Sequence, residues 1–223
     1  MTKINLLGLS VKKNAMILSV FALLSTATVA LVHQLTKDKI KNEIQRVMSQ
    51  QLNSLVPHNL YDNSPIEDCI LLIDESSKEH STLNNVSINK VFRMRKNNHS
   101  IAMVISSTAH DGYSGDINLL IALSNQDELI GVEVVSHTET PGLGDKIESR
   151  KSQWLQQFKN ISLNSFDKKN WAVKKDGGDF DALTGATITP RAVVNAIYST
   201  TEYYLLNKKI LFSKNSNCII DDK

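Results

Sequence analysis

Cysteine is scarce in this chain. Only two cysteines occur among 223 residues, Cys69 at the start of the apolar run CILLID and Cys218 in the polar segment SNCIID. They do not form a CxxC pair, and no histidines stand around them at zinc-ligand spacing, which argues against a structural zinc site. In an oxidising compartment the two could form a disulfide, but from the sequence we expect two unpaired thiols.

The chain also has no large excess of one charge, few aromatic residues and no glycine-rich phosphate loop. The chain has 25 basic and 23 acidic residues, a net charge of +2, and 6% aromatic residues. No basic face dominates and few rings are available for stacking on bases, so we expect no nucleic-acid partner. GxxxxGK is absent, and so is GxGxxG after a strand, which removes the two common nucleotide-binding motifs. His137 and Glu139 alone are too few ligands for a metal site.

An uncharged apolar run is present near the N-terminus. Residues 15–32 read AMILSVFALLSTATVALV, which is long enough to cross a bilayer. No cysteine stands near the end of the run, which excludes a lipoprotein, and lysines on both sides leave the orientation undecided by charge. An N-terminal tail this short usually stays inside while the long domain is exported. The alternative is a cleaved signal peptide with a weak site at residues 28–30; we expect a retained span.

The apolar run divides the chain into segments that can be predicted in order. After it, apolar residues recur at nearly helical spacing until VPHNLYDNSP, which contains two prolines, so a helix is expected to continue from the membrane into the domain. The apolar residues in this pattern are Leu35, Ile40, Ile44, Val47, Met48 and Leu55. The expected order is a cytoplasmic tail (1–14), a transmembrane helix (15–34), a connecting helix (35–56), an exported domain (57–210) and a polar tail (211–223).

The exported domain is predicted to have an α+β fold, an antiparallel sheet with helices packed on it. The expected strands are CILLID, KVFRMR, SIAMVISS, INLLIALS and LIGVEVVS, the last two forming a hairpin closed by NQDE. Alternation places Ile117, Leu119, Ile121 and Leu123 on one face of the first hairpin strand, and Ile130, Val132 and Val134 on one face of the second. KIESRKSQWLQQF is predicted to form an amphipathic helix with Ile147, Trp154, Leu155 and Phe158 facing inward.

Hydroxyl groups crowd the stretch DALTGATITPRAVVNAI, residues 181–197. Thr189-Pro190 predicts a helix start, with Thr189 as cap and proline at the first helical position. The inward face of this helix is expected to carry Val193, Ile197, Thr200 and Tyr204. Gly185 and Ala186 keep the preceding turn small, so the free N–H groups of the helix end would favour an anionic group near Thr187.

The size of that effect argues against the helix end alone holding a cofactor. One helix end contributes about 0.3–1 kcal/mol to the binding of an exposed anion, whereas micromolar affinity needs roughly 8 kcal/mol. A covalent link through a hydroxyl would remove this difficulty. The competing interpretation is an ordinary capped helix with a threonine-rich lead-in.

A second stiff turn is formed by Thr140-Pro141-Gly142-Leu143-Gly144. Bare backbone at its two glycines could lie against a flat ring, with Leu143 as an apolar contact. Glu139 could then touch the polar edge of the ring. The alternative is a plain loop between a strand and a helix.

These two stretches carry a resemblance to a known family. Residues 181–187 resemble the flavinylation motif D-x-x-[ST]-G-A-[ST], in which a flavin transferase joins the phosphate of FMN to the last hydroxyl by a phosphoester. The resemblance implies that Thr187 is the acceptor, that Asp181 belongs to the motif the transferase reads, and that Thr184 hydrogen-bonds the phosphate. Gly185 and Ala186 would give the flavin room.

The resemblance extends over essentially the whole chain. ETPGLGDKI and LTGATITPRAVV, with the segment 112–158, are similar to the G subunit of Rnf-type (Rsx) electron transport complexes. One departure is Asp116, where proline is expected. The resemblance implies a single-pass protein of the bacterial inner membrane with its FMN domain on the periplasmic side. Its expected partners are the other membrane and iron–sulfur subunits, in a complex that couples electron transfer between ferredoxin and NAD to ion transport.

Two alternatives remain open from the sequence. One is the C subunit of the sodium-pumping NADH:quinone reductase, which shares the domain. The other is a flavin-free, membrane-anchored binding or scaffold module. In the favoured interpretation the chain carries electrons within a larger translocase and catalyses nothing alone, because the cofactor supplies the chemistry.

Overall fold

The computed structural model describes residues 2–72, 82–83 and 85–218. It divides into two compact units, Met1–Met48 and Ser49–Lys223. Two expected features fall partly outside the described residues: the end of the predicted strand CILLID (residues 73–74) and the last five residues of the predicted polar tail (219–223).

A single helix, α1 (Thr2–Leu55), contains the apolar run and the predicted connecting helix. From Val11 onward the helix is long and apolar enough, by length and composition, to cross a membrane. The apolar run and the segment after it thus lie in one continuous helix. The helix ends at Leu55, just before the proline-containing segment that predicted its end.

Among its described residues, the second unit is built on one antiparallel sheet of seven strands. The strands are β1 (Cys69–Leu71), β2 (Thr82–Leu83), β3 (Val86–Lys96), β4 (His99–Ala109), β5 (Ile117–Ser124), β6 (Glu128–Ser136) and β7 (Ile161–Ser162). Their order is β1-β3-β4-β5-β6-β7, with β2 also paired to β3. Asn97 and Asn98 form the β3–β4 turn, both at positive φ. A two-residue turn with this backbone matches the right-handed twist of the strands that it joins. The predicted α+β class is confirmed.

The hairpin of β5 and β6 matches the predicted faces except at one residue. Ile117, Leu119, Ile121 and Leu123 are all buried in the core, as alternation predicted. In β6, Val132 and Val134 are in the core, but Leu129 replaces Ile130 there. The register shifts between Ala122, opposite Gly131, and Leu123, opposite Leu129. This bulge makes Ile130 the extra residue and changes the face on which it lies.

Helix α2 (Ile188–Ser213) covers one face of the sheet. Its residues Val193, Ile197, Thr200 and Tyr204 are completely buried, which confirms the predicted inward face. Two hydroxyls fix the helix on the sheet: Thr200 Oγ1 donates to Ser107 Oγ at 2.7 Å, and the Tyr204 hydroxyl donates to the carbonyl of Ser124 at 2.8 Å.

The prediction of an amphipathic helix over KIESRKSQWLQQF is wrong. Two 3-10 helices, Gly144–Ile147 and Trp154–Phe158, stand there instead, separated by a turn in which Glu148 is extended. Ser152 favours the break, because its hydroxyl donates to the carbonyl of Lys146 and accepts from the N–H of Trp154. The residues expected to face inward are nevertheless buried: Ile147, Trp154, Leu155 and Phe158.

The expectation of two unpaired thiols is also wrong. Cys69 and Cys218 form a disulfide between residues 149 positions apart. The neighbouring Asn217 lies against β1: its amide nitrogen donates to the carbonyl of Leu71, and its side-chain oxygen accepts from the N–H of Leu71. This part of the C-terminal segment is therefore attached to the edge of the sheet, an arrangement that spacing along the chain does not reveal.

Candidate functional site

The motif DALTGAT forms a tight turn directly before α2. The N–H of Ala186 donates to the carbonyl of Leu183 at 3.2 Å, which closes a four-residue turn with Thr184 and Gly185 at its centre. Gly185 has φ +87°, the backbone that the third position of a type II turn requires and that glycine adopts without strain. Thr184, within this turn, and Thr187, directly after it, are both exposed.

Asp181, the first residue of the motif, is held by its backbone and exposes its side chain. Its N–H donates to Gln157 Oε1 at 2.7 Å, and its carbonyl accepts from Trp154 Nε1 at 2.6 Å. Its carboxylate pairs with Lys174 Nζ at 2.6 Å, and both side chains are more than half exposed. The second 3-10 helix therefore fixes where the motif begins and leaves the Asp181 carboxylate at the surface.

The start of α2 differs from the predicted cap. Thr187, not Thr189, occupies the N-cap position, its hydroxyl makes no capping hydrogen bond, and Pro190 is the third helical residue. Thr189 is 1% exposed, and its hydroxyl donates to Glu139 Oε2 at 2.6 Å. The prediction of Thr189 as cap is therefore wrong, because a buried carboxylate from another loop takes its hydroxyl. The hydroxyl of Thr187 is left at the helix end.

The turn TPGLG lies beside the motif. The N–H of Leu143 donates to the carbonyl of Thr140, and Gly142 has φ +81° with open space around it. A Cβ on Gly185 would lie 2.8 Å from Leu143 Cδ2, so the two turns are in direct contact. Gly144 is enclosed: a Cβ there would lie 2.7 Å from Glu139 Oε2 and 2.8 Å from Thr189 Oγ1.

An open cavity of about 270 Å³ lies between these turns and the start of α2. Seven of the residues expected at the site line it: Glu139, Thr140, Leu143, Gly144, Gly185, Ala186 and Thr187. Gly142, Asp181 and Thr184 do not line it. Three residues not expected at the site also line it: Tyr113, Ile188 and Thr189, the last of which was expected only as the helix cap. Tyr113 stands in GYSG, within the segment that resembles the family, but the resemblance gave it no role at the site. Ile188 directly follows the motif.

Behind the cavity, a charged network fixes the loop after β6. The N–H of Glu139 donates to His137 Nδ1, and His137 Nε2 lies 3.0 Å from Glu148 Oε1. The Arg150 guanidinium, the Lys151 ammonium and the His137 ring lower the pKa of Glu148 to about 2. His137 is thus engaged with protein groups, and no cluster able to hold a metal ion exists among the residues that the structure describes.

Substitution at Gly144 is expected to disturb the cavity far more than the same substitution at Gly142. Gly144→Val should shift the absorption or the reduction potential of bound flavin while circular dichroism stays native, because the new side chain must displace Glu139 or Thr189. Gly142→Val is the matched control. Its side chain faces open space, and the positive φ of this position costs about 1–2 kcal/mol of backbone strain. An unchanged flavin spectrum and potential in Gly144→Val would assign this turn to a plain connecting loop.

Comparison with known proteins places the chain in a family. A model of the FMN-binding domain matches residues 112–202, and a model of the RnfG N-terminal region matches residues 1–55. The G subunit of the ion-translocating oxidoreductase complex from Shewanella piezotolerans is 42% identical over 96% of this chain and 99% of its own length. The protein of the same name from Pseudoalteromonas atlantica is 42% identical over 93% and 94%. The chain belongs to the G-subunit family of ion-translocating oxidoreductase complexes.

Membership in the G-subunit family confirms the resemblance inferred from the sequence motifs. The chain has an FMN-binding domain, and the matched range 112–202 contains every residue that lines the cavity. The apolar helix α1 lies across the matched N-terminal region, so this is a membrane-anchored member of the family. The chain also aligns with the crystal structure of Shewanella oneidensis NqrC, with a TM-score of 0.41 and 24% sequence identity. The alignment covers 68% of this chain and 73% of the NqrC chain.

Proposed function

We propose that this G-subunit-family chain carries electrons through an FMN esterified to Thr187. The observation that carries the proposal is the state of the Thr187 hydroxyl. It is exposed, it occupies the N-cap position of α2 without capping it, and it stands at the wall of the cavity. Helix caps normally use such a hydroxyl for the helix itself; here it remains accessible for modification.

The helix end suits the charge that attachment leaves behind. A phosphoester between FMN and Thr187 retains one negative charge at the N-terminus of a 26-residue helix, where the free N–H groups and the helix dipole favour an anion. Ile188 and Thr189 supply N–H groups in the first turn, whereas Pro190 has none. The covalent bond keeps the FMN attached, so the helix end needs only to orient its phosphate.

The rim of the cavity suits the flavin ring. Three large apolar or aromatic side chains line the cavity and are partly exposed: Tyr113, Leu143 and Ile188, at 67%, 43% and 43%. A cavity of about 270 Å³ is below the usual range for sites that enclose a ligand of this size. The ring would therefore stay partly open to solvent or to a neighbouring subunit, which suits electron exchange with protein partners.

We place the domain on the periplasmic side of the inner membrane. The Cys69–Cys218 disulfide supports this side, because disulfides persist in oxidising compartments and are rare in the cytosol. The partners we propose are the other membrane and iron–sulfur subunits of the complex and a flavin transferase that reads the DALTGAT turn.

A reporter fusion tests this topology. A reporter that is active only after export, fused after Lys223, should be active and should stay with the membrane fraction. The fused chain should keep its N-terminal segment. Release of a chain with a shortened N-terminus by alkali washing would show instead that the apolar run is a removed signal.

The function itself is tested by flavin that survives denaturation. The chain should be produced with a flavin transferase, denatured and separated on a gel; the proposal expects flavin fluorescence at the position of the chain. A flavin-free scaffold module would show none. The C subunit of the sodium-pumping reductase remains the second candidate, but the match of the RnfG N-terminal region to residues 1–55 favours the Rnf-type complex.

A further inference from the structure

Glu139 is a buried carboxylate at the wall of the proposed FMN cavity. Its side chain is 4% exposed. Oε1 accepts a hydrogen bond from the N–H of Ser114 at 3.1 Å, and Oε2 accepts one from the hydroxyl of Thr189 at 2.6 Å. Both oxygens act as acceptors, as in the ionised form. The carboxylate thereby joins the loop before β5, its own loop after β6, and the first turn of α2.

The backbone closes around this group on two sides. A Cβ on Gly112 would lie 2.9 Å from Glu139 Oε1, and a Cβ on Gly144 would lie 2.7 Å from Oε2. No ion pair with Glu139 is found among residues 2–72, 82–83 and 85–218. A buried charge without a cation is costly, and a neutral amide would serve to hold loops together. Holding the loops together therefore does not explain why a charged side chain stands at this position.

We propose that the Glu139 carboxylate lowers the reduction potential of the FMN held in this cavity. The inference rests on the proposed function, because it needs flavin beside this wall. Reduction adds electrons to the ring, and the fixed negative charge of a buried carboxylate beside it opposes any added negative charge. The hydroxyl of Thr189 and the N–H of Ser114 partly offset that charge by donating to it.

Two substitutions separate charge from shape, because they should move the potential in opposite directions. Glu139→Gln keeps the size of the side chain and removes its charge, and the Thr189 hydroxyl can turn to accept from the new amide. Its flavin should have a more positive midpoint potential than wild type. Thr189→Val keeps the charge and removes a donor that offsets it, so its potential should become more negative. Both are measured by spectroelectrochemical titration of full-length, flavin-loaded protein.

Glu133→Gln is the matched control. Glu133 is a β6 residue that accepts from Ser149 and does not line the cavity, so its loss removes one charge without changing the wall. Its potential should equal that of wild type. Shifts of the same sign in Glu139→Gln and Thr189→Val, or none in either, would overturn the inference. If Glu139→Gln does not fold, a potential in Thr189→Val that is unchanged or more positive is sufficient to overturn it.

The inference and the proposed function fail in different ways. Wild type without covalent flavin after co-production with a transferase overturns the attachment at Thr187. Wild type with covalent flavin and a potential that is insensitive to Glu139 overturns only the present inference.

Discussion

Replacing Thr187 with alanine is expected to abolish covalent flavin while leaving the fold intact. Thr187 is exposed and its hydroxyl makes no capping bond, so its loss should change the free energy of unfolding by less than about 0.5 kcal/mol. After co-production with a transferase and denaturation, wild type should be fluorescent and Thr187→Ala should be dark. Thr187→Ser, which keeps a hydroxyl at the same place, should restore the adduct.

The neighbouring threonines are the controls for this result. Thr189→Val should retain the flavin although it loses the bond to Glu139, and it should be less stable by about 1–3 kcal/mol, because a buried carboxylate oxygen loses its donor. Thr184→Ala should also retain the acceptor hydroxyl, with less efficient attachment if Thr184 orients the phosphate. Fluorescence in Thr187→Ala equal to that of wild type would move the acceptor to another residue.

Removal of the disulfide is expected to give the largest loss of stability. Cys69→Ser or Cys218→Ser should lower the free energy of unfolding by about 2–5 kcal/mol, because the bond closes a loop of some 149 residues in the unfolded chain. The double variant should lose no more than either single variant, since both remove the same bond. The measurement is thermal unfolding of the full chain in detergent.

Reduction of the wild type provides the companion experiment. With a thiol reductant its unfolding midpoint should fall to that of the variants, and covalent flavin should remain, because the disulfide ties the C-terminal segment to β1 and neither cysteine lines the cavity. Midpoints that are equal with and without reductant would show that the two cysteines are not joined in solution.

The elements with regular apolar patterns could be predicted from the sequence. In β5 every second residue is apolar, and in α2 the apolar residues recur at helical spacing, so both buried faces follow from the pattern alone. Where tertiary contacts decide the backbone, the prediction failed. The segment 146–158 has a helical pattern, yet the Ser152 side chain and the charged partners of Glu148 hold it as turns and 3-10 helices.

The candidate site divides in the same way. The turn at Gly185 and the turn at Gly142 are local, and their glycines mark the positive φ angles in advance. The bond between Thr189 and Glu139 joins residues 50 positions apart, so the hydroxyl that best fits a cap by spacing is in fact buried elsewhere. Tyr113 reaches the cavity from the loop before β5, and no local pattern marks it as a site residue.

The most direct test is the mass of the tryptic peptide that spans residues 176–191, taken from protein co-produced with a flavin transferase. This peptide contains all three candidate hydroxyls, those of Thr184, Thr187 and Thr189. We expect the peptide mass to increase by FMN less one water, with fragment ions placing the addition on Thr187. An unmodified peptide, or an addition on either of the other two threonines, would contradict the account.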